Sequence, residues 1–584
     1  MKELLNQGRV QRPRRPSAGD GALLLIVDSE AAYHDRSIVD ETVTVPLMHY
    51  GLPFRFLDLA QERLNANHLT ACAAVVVAQA GVTRQLGSEE ARLLASAVED
   101  GLGLVNLDWD LRSAPGQLLG LFGFGGVERL PIASNRFIVP GNDHWVTELH
   151  RPRAVHESGR MVTALIVDEW GDATVPLVEA ILAKEQLVYI RHLVPGNAFE
   201  PKHYPVVFAA QSGRGRAVQY LVNPRLWRKS AVGHLGGLGD IFWRSIIWTA
   251  RKPFVANITP PFVTLSFDDC SGRKDFRYLD VCTEHGLQPM ASLFLDQIEE
   301  EHRTRLRAKA AAGEILVNSH AWDYYDLAYY DFGVDEYPRE TLEEIFQRED
   351  AFYRWLGAEP CTTVRSHWGE HGVRSLPFLK QRGRTYINVP IHIGEHKADQ
   401  FRSDPGEGYW PYDTVKCFYD YLPDDNDFYI FGAFAVRHLA DFLTGATILL
   451  EESPRNDLDK AVDQAVHHLE RGLANGFYGE LVTHEHKLGV LTLAEWDRIL
   501  DRTLARMAPY DVIPTDHDTI ARYVKSKDES HLAKVDRLDG SVTFRLKGEA
   551  AAPLRLSLFR DVDDGVERSY VDVPAFEGQA EASA

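Results

Sequence analysis

The sequence has few cysteines and no long apolar run. Its five cysteines in 584 residues form no CxxC pair, which excludes a disulfide framework and fits a reducing compartment. No segment approaches the ~18 continuous apolar residues of a membrane-spanning helix, and no signal peptide is recognised. We therefore expect no transmembrane segment and a cytoplasmic location, with export by another route left open.

The sequence is also short of positive charge. It has 63 Lys and Arg against 84 Asp and Glu, which gives a formal net charge of -21. A nucleic-acid partner or an anionic membrane surface is therefore not expected. The length predicts two to four domains. The basic start, residues 1–20, is expected to be a disordered tail, because such charge runs are usually solvated.

Residues 21–255 alternate between strand-like and helix-like segments. Apolar runs such as ALLLIVD and AAVVVAQA are separated by amphipathic stretches such as SEEARLLASAVEDG. This alternation predicts an α/β domain with a parallel sheet that is covered on both faces. An inserted subdomain is expected near residues 125–160.

Residues 256–527 predict a second α/β domain. Several of its strand-like runs end in a chemically capable residue, as in a β/α barrel, whose active site lies at the carboxyl ends of the strands. Residues 528–577 change to short alternating runs, which predict a small antiparallel β domain. Residues 578–584 are expected to be a tail.

Four strand-end clusters in the second domain carry the candidate chemistry. They are SFDDC, VNSHAWDYYD, VRSHWGEHG and ELVTHEHKLG. Carboxylate and imidazole together suit a zinc-like divalent ion. A carboxylate that does not bind the ion can act as a general base, and a separate histidine can act as a general acid.

The order and spacing of these clusters resemble the polysaccharide deacetylase family, carbohydrate esterase family four. That family carries T-F-D-D-G, H-[ST]-x-x-H, R-x-P-x-[GY] and L-x-H. The resemblance implies that Asp268 is the general base and that Asp269 and His320 are metal ligands. It also implies that Arg365 holds Asp268 ionised, that His484 protonates the leaving amine, and that the fold is an irregular β/α barrel of about seven strands.

The sequence departs from the family pattern at three positions. Cys270 replaces the glycine after the aspartates, His367 replaces the proline of the third motif, and Tyr324 replaces the second histidine. Asp323, one residue away, is the predicted third metal ligand. The alternatives for this ligand are Asp326, His367, His392 and His396.

Residues 21–255 resemble, more loosely, glutamine-amidotransferase-like domains of the flavodoxin-like α/β class. The segment PVVFAAQSGRGRAVQY carries most of this resemblance. No Cys–His pair stands at a nucleophile-like position, so we interpret this domain as non-catalytic.

The function implied by the resemblance is metal-dependent removal of N-acetyl groups from an amino sugar or polysaccharide. Zinc is the expected ion, with cobalt and nickel as alternatives, and the expected partner is a carbohydrate. Tyr324 keeps a second hypothesis open, a catalytically inactive carbohydrate-binding or scaffold protein. A glycoside hydrolase fits less well, because adjacent aspartates on a regular strand point to opposite faces.

Overall fold

The computed structural model describes most of the chain. The described residues are 15–31, 37–127, 131–182, 202–228, 231, 237–330, 336–367, 370–388, 392–393, 419–422, 425–431, 443, 457–563 and 565–584. The chain divides into two compact units, one mainly of residues 259–412 and 416–525, the other mainly of residues 11–258 and 526–584. The domain boundaries predicted from the sequence stay predictions.

In the unit of residues 11–258 and 526–584, the N-terminal part is built on a nine-stranded sheet. Its strand order is β2-β1-β3-β4-β11-β10-β9-β6-β7. The strands of this region are β1 (Leu23–Val27), β2 (Phe54–Asp58), β3 (Ala74–Val77), β4 (Gly103–Asn106), β5 (Gly125–Val127), β6 (Ile132–Val139), β7 (Ala154–Ala164), β8 (Val167–Glu169), β9 (Thr174–Leu182), β10 (Lys202–Ser212), β11 (Gly215–Tyr220) and β12 (Phe254–Ala256).

Only half of this sheet is parallel, so the expectation of a parallel sheet is corrected. Strands β2, β1, β3, β4 and β11 run parallel, whereas β10, β9, β6 and β7 add antiparallel pairs. The segment PVVFAAQSGRGRAVQY forms the β10–β11 hairpin, whose turn contains Gly213 at φ 59°. Local alternation of apolar residues does not report strand direction, because direction depends on the distant partner.

The unit around residues 259–525 contains two larger, mainly parallel sheets and one short parallel pair, Glu370–His371 with His392–Ile393. The orders of the larger sheets are β15-β14-β13-β22, with β23 also paired to β13, and β16-β18-β21-β20. The strands are β13 (Phe262–Cys270), β14 (Met290–Phe294), β15 (Leu316–Ala321), β16 (Thr363–Val364), β17 (Glu370–His371), β18 (Tyr386–Asn388), β19 (His392–Ile393), β20 (Tyr419–Leu422), β21 (Asp425–Phe431), β22 (Gly479–His484) and β23 (Ile513–Pro514). The described residues give a mixed α/β fold with parallel sheets, and a closed seven-stranded barrel stays a prediction.

The C-terminal region is antiparallel, as the alternating runs predicted. Its strands are β24 (Ser530–Leu538), β25 (Ser541–Ala550), β26 (Leu554–Val562), β27 (Gly565–Val573) and β28 (Phe576–Ser583). Residues 578–584 were expected to be a tail, but β28 pairs with β25 along its whole length. Its small and polar residues give little sequence signal, because the pairing rests on backbone hydrogen bonds.

Helices cover the parallel strands. They are Val45–His49, Ala66–Thr70, Ser88–Glu99, Gly116–Gly120, Gly239–Thr249, Arg277–Glu284, Glu300–Ala311, Arg339–Leu356, Leu376–Gln381, Leu458–Ala474, Glu485–Leu488, Leu493–Arg506 and His517–Glu529. The helix Arg339–Leu356 ends at Gly357, whose φ of 71° allows the left-handed C-cap. Thr492 and Glu495 form a capping box at the start of Leu493–Arg506. No helix in the described part of the chain is long and apolar enough to cross a membrane.

The region expected to be a basic tail is partly ordered. Residues 1–14 lie outside the described residues. Residues 15–20 are described, and the backbone amide of Ser17 donates to the carbonyl oxygen of Phe54. The Arg15 guanidinium also donates to the carbonyl oxygen of Asp528. This basic residue is therefore anchored by backbone carbonyls rather than solvated.

Candidate functional site

Strand β13 ends in a bulge that carries both aspartates. Phe267 is paired with Ala291 and Cys270 with Leu293, so two residues of β13 face one residue of β14. Asp269 has a left-handed φ of 57°, which aspartate tolerates better than most residues. A bulge re-aims side chains relative to regular strand alternation.

Both aspartates consequently reach one cluster, which corrects the expectation that they point to opposite faces. His320 and His484 lie close enough to both carboxylates to lower both pKa values. Asp268 and Asp269 are buried. The double aspartate therefore serves a single site and is not a solvated turn.

Three buried side chains bring their ligand atoms together. Asp269 Oδ1 lies 3.4 Å from His320 Nε2 and 3.1 Å from His367 Nδ1. The two imidazole nitrogens are 3.2 Å apart. Two ligands bound ~2.0–2.1 Å from a zinc ion at the tetrahedral angle are themselves about 3.3 Å apart. This triangle therefore has the size that three ligands of one ion require.

The tautomer of His320 is set by the backbone. Its Nδ1 lies 2.9 Å from the carbonyl oxygen of Arg365, which can only accept a hydrogen bond. Nδ1 therefore carries a proton, and Nε2 is the ring nitrogen that faces Asp269. A carbonyl that fixes the ring in this way is the usual support of a metal-binding histidine.

The protonation states of the other two residues also suit a cation. Burial raises the pKa of Asp269, but interactions with His320 and His367 outweigh it and lower that pKa. Burial, together with the neighbouring His320, lowers the pKa of His367 despite the opposing effect of Asp269. The cluster thus favours an ionised carboxylate and a neutral His367, which are the forms that bind metals.

Asp268 is held by Arg365 and not by the triangle. Arg365 Nε donates to Asp268 Oδ1 at 2.8 Å and Nη2 donates to Oδ2 at 3.2 Å, a bidentate pair in which both side chains are buried. Burial would raise the pKa of Asp268, but the Arg365 charge outweighs it and lowers that pKa. The carboxylate is therefore ionised and fixed in orientation.

Glu480, the second carboxylate that contacts Arg365, was not predicted from the sequence. Arg365 Nη1 lies 3.1 Å from Glu480 Oε1, and His517 Nε2 lies 3.1 Å from the same oxygen. Burial raises the pKa of Glu480, but His517 and Arg365 outweigh it and lower the pKa to about 2. The sequence contained one signal for this residue, because Glu480 is an acidic residue in the otherwise apolar start of β22.

His484, the predicted acid, ends strand β22. It stands opposite Asp268 in the parallel pairing of β13 and β22. Its ring is partly buried and lies 5.3 Å from the ring of His486. His486 Nδ1 is in turn 4.0 Å from Asp269 Oδ2. The structure brings Asp268, Asp269, His320, Arg365 and His484 together, and their roles stay predictions.

Asp323, the predicted third ligand, lies outside the cluster. Its Oδ1 accepts hydrogen bonds from the backbone amides of Tyr325, at 2.7 Å, and of Asp326, at 2.8 Å. This carboxylate stabilises a local turn, and His367 occupies the place assigned to it. Asp326 is exposed, His392 begins the short strand β19, and His396 lies outside the described residues.

The position of His367 explains two departures from the family motifs together. Tyr324 replaces the second histidine, and its ring packs 5.3 Å from the ring of His367. The third-motif proline is replaced by that same His367. The sequence signal was that the second motif lacks a histidine while the third motif has an additional one. When each motif is considered alone, these two changes look unrelated.

Glu485 fixes the loop that follows the double aspartate. Its carboxylate accepts from the amides of Ser271, Gly272 and Arg273 at 2.7–3.2 Å and from the hydroxyl of Tyr278 at 2.9 Å. Glu485 directly follows His484. This contact therefore ties the end of β13 to the end of β22, the two strands that carry the predicted base and acid.

Aromatic rings border the triangle. The ring of Phe294 lies 5.9 Å from that of His320 and 5.2 Å from that of His367. Tyr324 is partly exposed and Tyr325 is 79% exposed. The cluster therefore has an apolar side at Phe294, and Tyr324, which packs on His367, is itself partly exposed.

Comparison with known proteins agrees with the motif assignment. Residues 256–387 match the family model described as polysaccharide deacetylase, which confirms the resemblance for that part of the chain. No curated protein matches the chain.

Solved structures show weak similarity. A protein from Mycobacterium smegmatis described as a polysaccharide deacetylase has 14% identity and a TM-score of 0.32, covering 46% of this chain and 96% of that chain. A family 4 carbohydrate esterase from Streptomyces lividans, in complex with acetate, has 12% identity and a TM-score of 0.25, covering 44% and 92%. A ThuA-like protein from Bacteroides uniformis has 12% identity and a TM-score of 0.28, covering 41% and 94%.

Proposed function

We propose that this protein is a metal-dependent hydrolase that removes N-acetyl groups from an amino sugar or a polysaccharide. The observation that carries the proposal is the buried triangle of Asp269, His320 and His367, with interatomic distances of 3.1–3.4 Å. One carboxylate and two imidazoles form a donor set that fits zinc, and cobalt and nickel bind similar sets. A bound ion would supply Lewis-acid polarisation of the amide carbonyl.

Asp268 is the proposed general base. The pKa of Asp268 is lowered, and Arg365 donates hydrogen bonds to both of its carboxylate oxygens. The carboxylate is therefore ionised and fixed in orientation. It accepts a proton from the attacking water as the oxygen of that water bonds to the acetyl carbon. Glu480 holds the other side of the guanidinium and keeps Arg365 in place.

His484 is the proposed general acid. It donates a proton to the amide nitrogen as the carbon–nitrogen bond breaks, which releases acetate and the free amine. Its position opposite Asp268 places the acid and the base on adjacent strand ends. Glu485 maintains their relative position by holding the loop that follows Asp269.

The substrate is proposed to be a carbohydrate. The family match of residues 256–387 supports it, and the exposed Tyr324 and Tyr325 provide rings on which a sugar can pack. The cytoplasmic location and the non-catalytic role of residues 21–255 remain predictions. The alternative hypothesis, an inactive carbohydrate-binding or scaffold protein, predicts neither a bound ion nor acetate release.

Two measurements on the full-length protein test this proposal. Elemental analysis should find about one zinc-like ion per chain, and N-acetylglucosamine oligomers should release acetate. Asp268→Asn should abolish acetate release and keep the ion, because Asp268 lies outside the triangle. Absence of both ion and acetate after loading with zinc, cobalt or nickel would favour the inactive alternative.

A further inference from the structure

A second concave site lies in the same unit, apart from the metal triangle. It is a pocket of about 470 Å³ between the helix Arg339–Leu356 and the helix Leu376–Gln381 with its preceding turn. It shares no residue with the site described above. Small-molecule pockets have volumes of roughly 300–1,000 Å³, so this one has room for about one sugar-sized molecule.

Arginines dominate the polar lining. Arg339, Arg374 and Arg382 face Glu343 as the single acidic residue of the lining. The chain as a whole has a net charge of -21. Arg382 is paired with Asp350. The guanidinium groups that can attract an anion in such an acidic protein are therefore those of Arg339 and Arg374.

Two of these arginines are available to a ligand. Arg374 Nε is 3.9 Å from Glu336 Oε2, which is too long for a hydrogen bond. The Glu336 carboxylate already accepts the backbone amides of Val373 and Arg374. Arg339 pairs with Glu343 at 3.1 Å, but both side chains are largely exposed, so water screens this pair.

The position of Arg339 also favours an anionic ligand. It is the first residue of the helix Arg339–Leu356, where the helix dipole disfavours a positive side chain. An anion bound beside it would relieve that unfavourable interaction. Arginine is the side chain best suited to bidentate binding of a carboxylate or a phosphate.

The third arginine forms a rigid wall. Arg382 binds both oxygens of Asp350 at 2.7–2.8 Å and lies 4.7 Å above the ring of Phe346. The rings of Phe346 and Phe378 stack at 5.1 Å with an angle of 6°. This stack gives the pocket a fixed apolar side, and Gln347 and Gln381 add amide groups to the lining.

We propose that this pocket binds a sugar unit that carries a carboxylate or a phosphate group. Arg339 and Arg374 bind the anionic group, the two glutamine amides bind ring hydroxyls, and Phe378 packs against the C–H face of the sugar. The proposal goes beyond the hydrolase, because it assigns the pocket no step of the reaction. The test of this proposal is therefore independent of the test of the proposed function.

Titration calorimetry on the full-length protein tests it, with glucuronate, glucose 6-phosphate, glucose and inorganic phosphate as probes. We expect glucuronate or glucose 6-phosphate to bind, and glucose and inorganic phosphate to bind at least about tenfold more weakly, since each lacks one half of the recognised chemistry. Binding should weaken as sodium chloride is raised.

The double variant Arg339→Gln/Arg374→Gln should weaken binding of the anionic sugar by about tenfold or more. Arg303→Gln is the matched control, because Arg303 pairs with Glu300 one turn away on an exposed helix surface and does not line the pocket. It should leave binding unchanged. Equal binding of glucose, equal binding of inorganic phosphate, no binding of any probe, or unchanged binding in the double variant would each overturn the proposal.

Discussion

The parallel half of the N-terminal sheet and the sheet that carries β13 both end in polar side chains, but these side chains have different roles. At the carboxyl edge of the N-terminal sheet, Asp108 accepts the amides of Gly81 and Thr83 at 2.8–2.9 Å. Asn106 donates to Gln219 at 2.8 Å, and Gln219 donates to the carbonyl oxygen of Asp108 at 3.1 Å. These donors and acceptors have partners within the protein, so this edge needs no ligand to complete its hydrogen bonds.

At the edge that carries β13, Asp269 Oδ1 is buried and has no hydrogen-bond partner among the described residues. With Nδ1 of His320 donating to a carbonyl, its Nε2 lies 3.4 Å from this oxygen. Such an arrangement is stable when a cation or a shared proton lies between the groups. Polar residues at strand ends therefore do not by themselves indicate a reaction site. The distinguishing feature is a mismatch of donors and acceptors that a ligand would resolve.

The largest effect is expected from breaking the buried Asp268–Arg365–Glu480 contact. Arg365→Gln leaves the buried Asp268 without its cation and removes one of the two partners of Glu480. It should destabilise the protein by about 3–5 kcal/mol, measured by urea unfolding. Arg382→Gln is the control, because Arg382 also forms a bidentate pair, with Asp350, but in a half-exposed position. It should cost less than about 1 kcal/mol. Equal losses of unfolding free energy in the two variants would show that burial does not make the Arg365 pair contribute more than the Arg382 pair.

The choice of third ligand gives the next effect. His367→Ala should weaken metal binding by about 100-fold or more, beyond the usual loss of an outer-shell partner, measured by competition with a chelator. Asp323→Ala should leave the metal affinity unchanged, since Asp323 caps a turn. The reverse result would return the third-ligand role to Asp323.

A substitution at the carboxyl edge of the N-terminal sheet should change the stability of the protein and not its activity. Asp108→Ala orphans buried backbone donors and should destabilise the protein by about 1–3 kcal/mol in urea unfolding, with metal content and acetate release per folded molecule unchanged. Asp110→Ala, two residues away and half-buried, is the control and should have the smaller effect. Loss of acetate release without loss of stability would make the N-terminal sheet part of the reacting site.

The smallest effect concerns pH. Glu480 has a pKa lowered to about 2 from 4.5, so its ionised form stabilises the folded state above pH 4.5, and this contribution is lost as the pH falls toward 2. Between pH 6 and pH 4 the wild type should lose about 0.8 kcal/mol more than Glu480→Gln. An identical pH dependence in the two proteins would contradict the proposed ionisation of Glu480.

Sequence reasoning found the residues whose signal is local. The apolar run before Asp268 predicted a buried strand, and β13 is buried along nearly its whole length. The amphipathic spacing of apolar residues is likewise a local signal for the helix that is observed at Leu458–Ala474. Glu480, the β-bulge and the antiparallel half of the N-terminal sheet were missed, because each depends on a partner far away in the chain.

The sequence by itself determined the residue types at the strand ends, since a buried strand followed by carboxylate or imidazole is readable locally. Only the tertiary structure decided which of them meet. His367 lies 47 positions from His320, and whether it or Asp323 completes the triangle depends on how β13, β15 and β16 pack. Ligand geometry is sensitive to a few tenths of an ångström, and only the packed backbone sets distances at that scale.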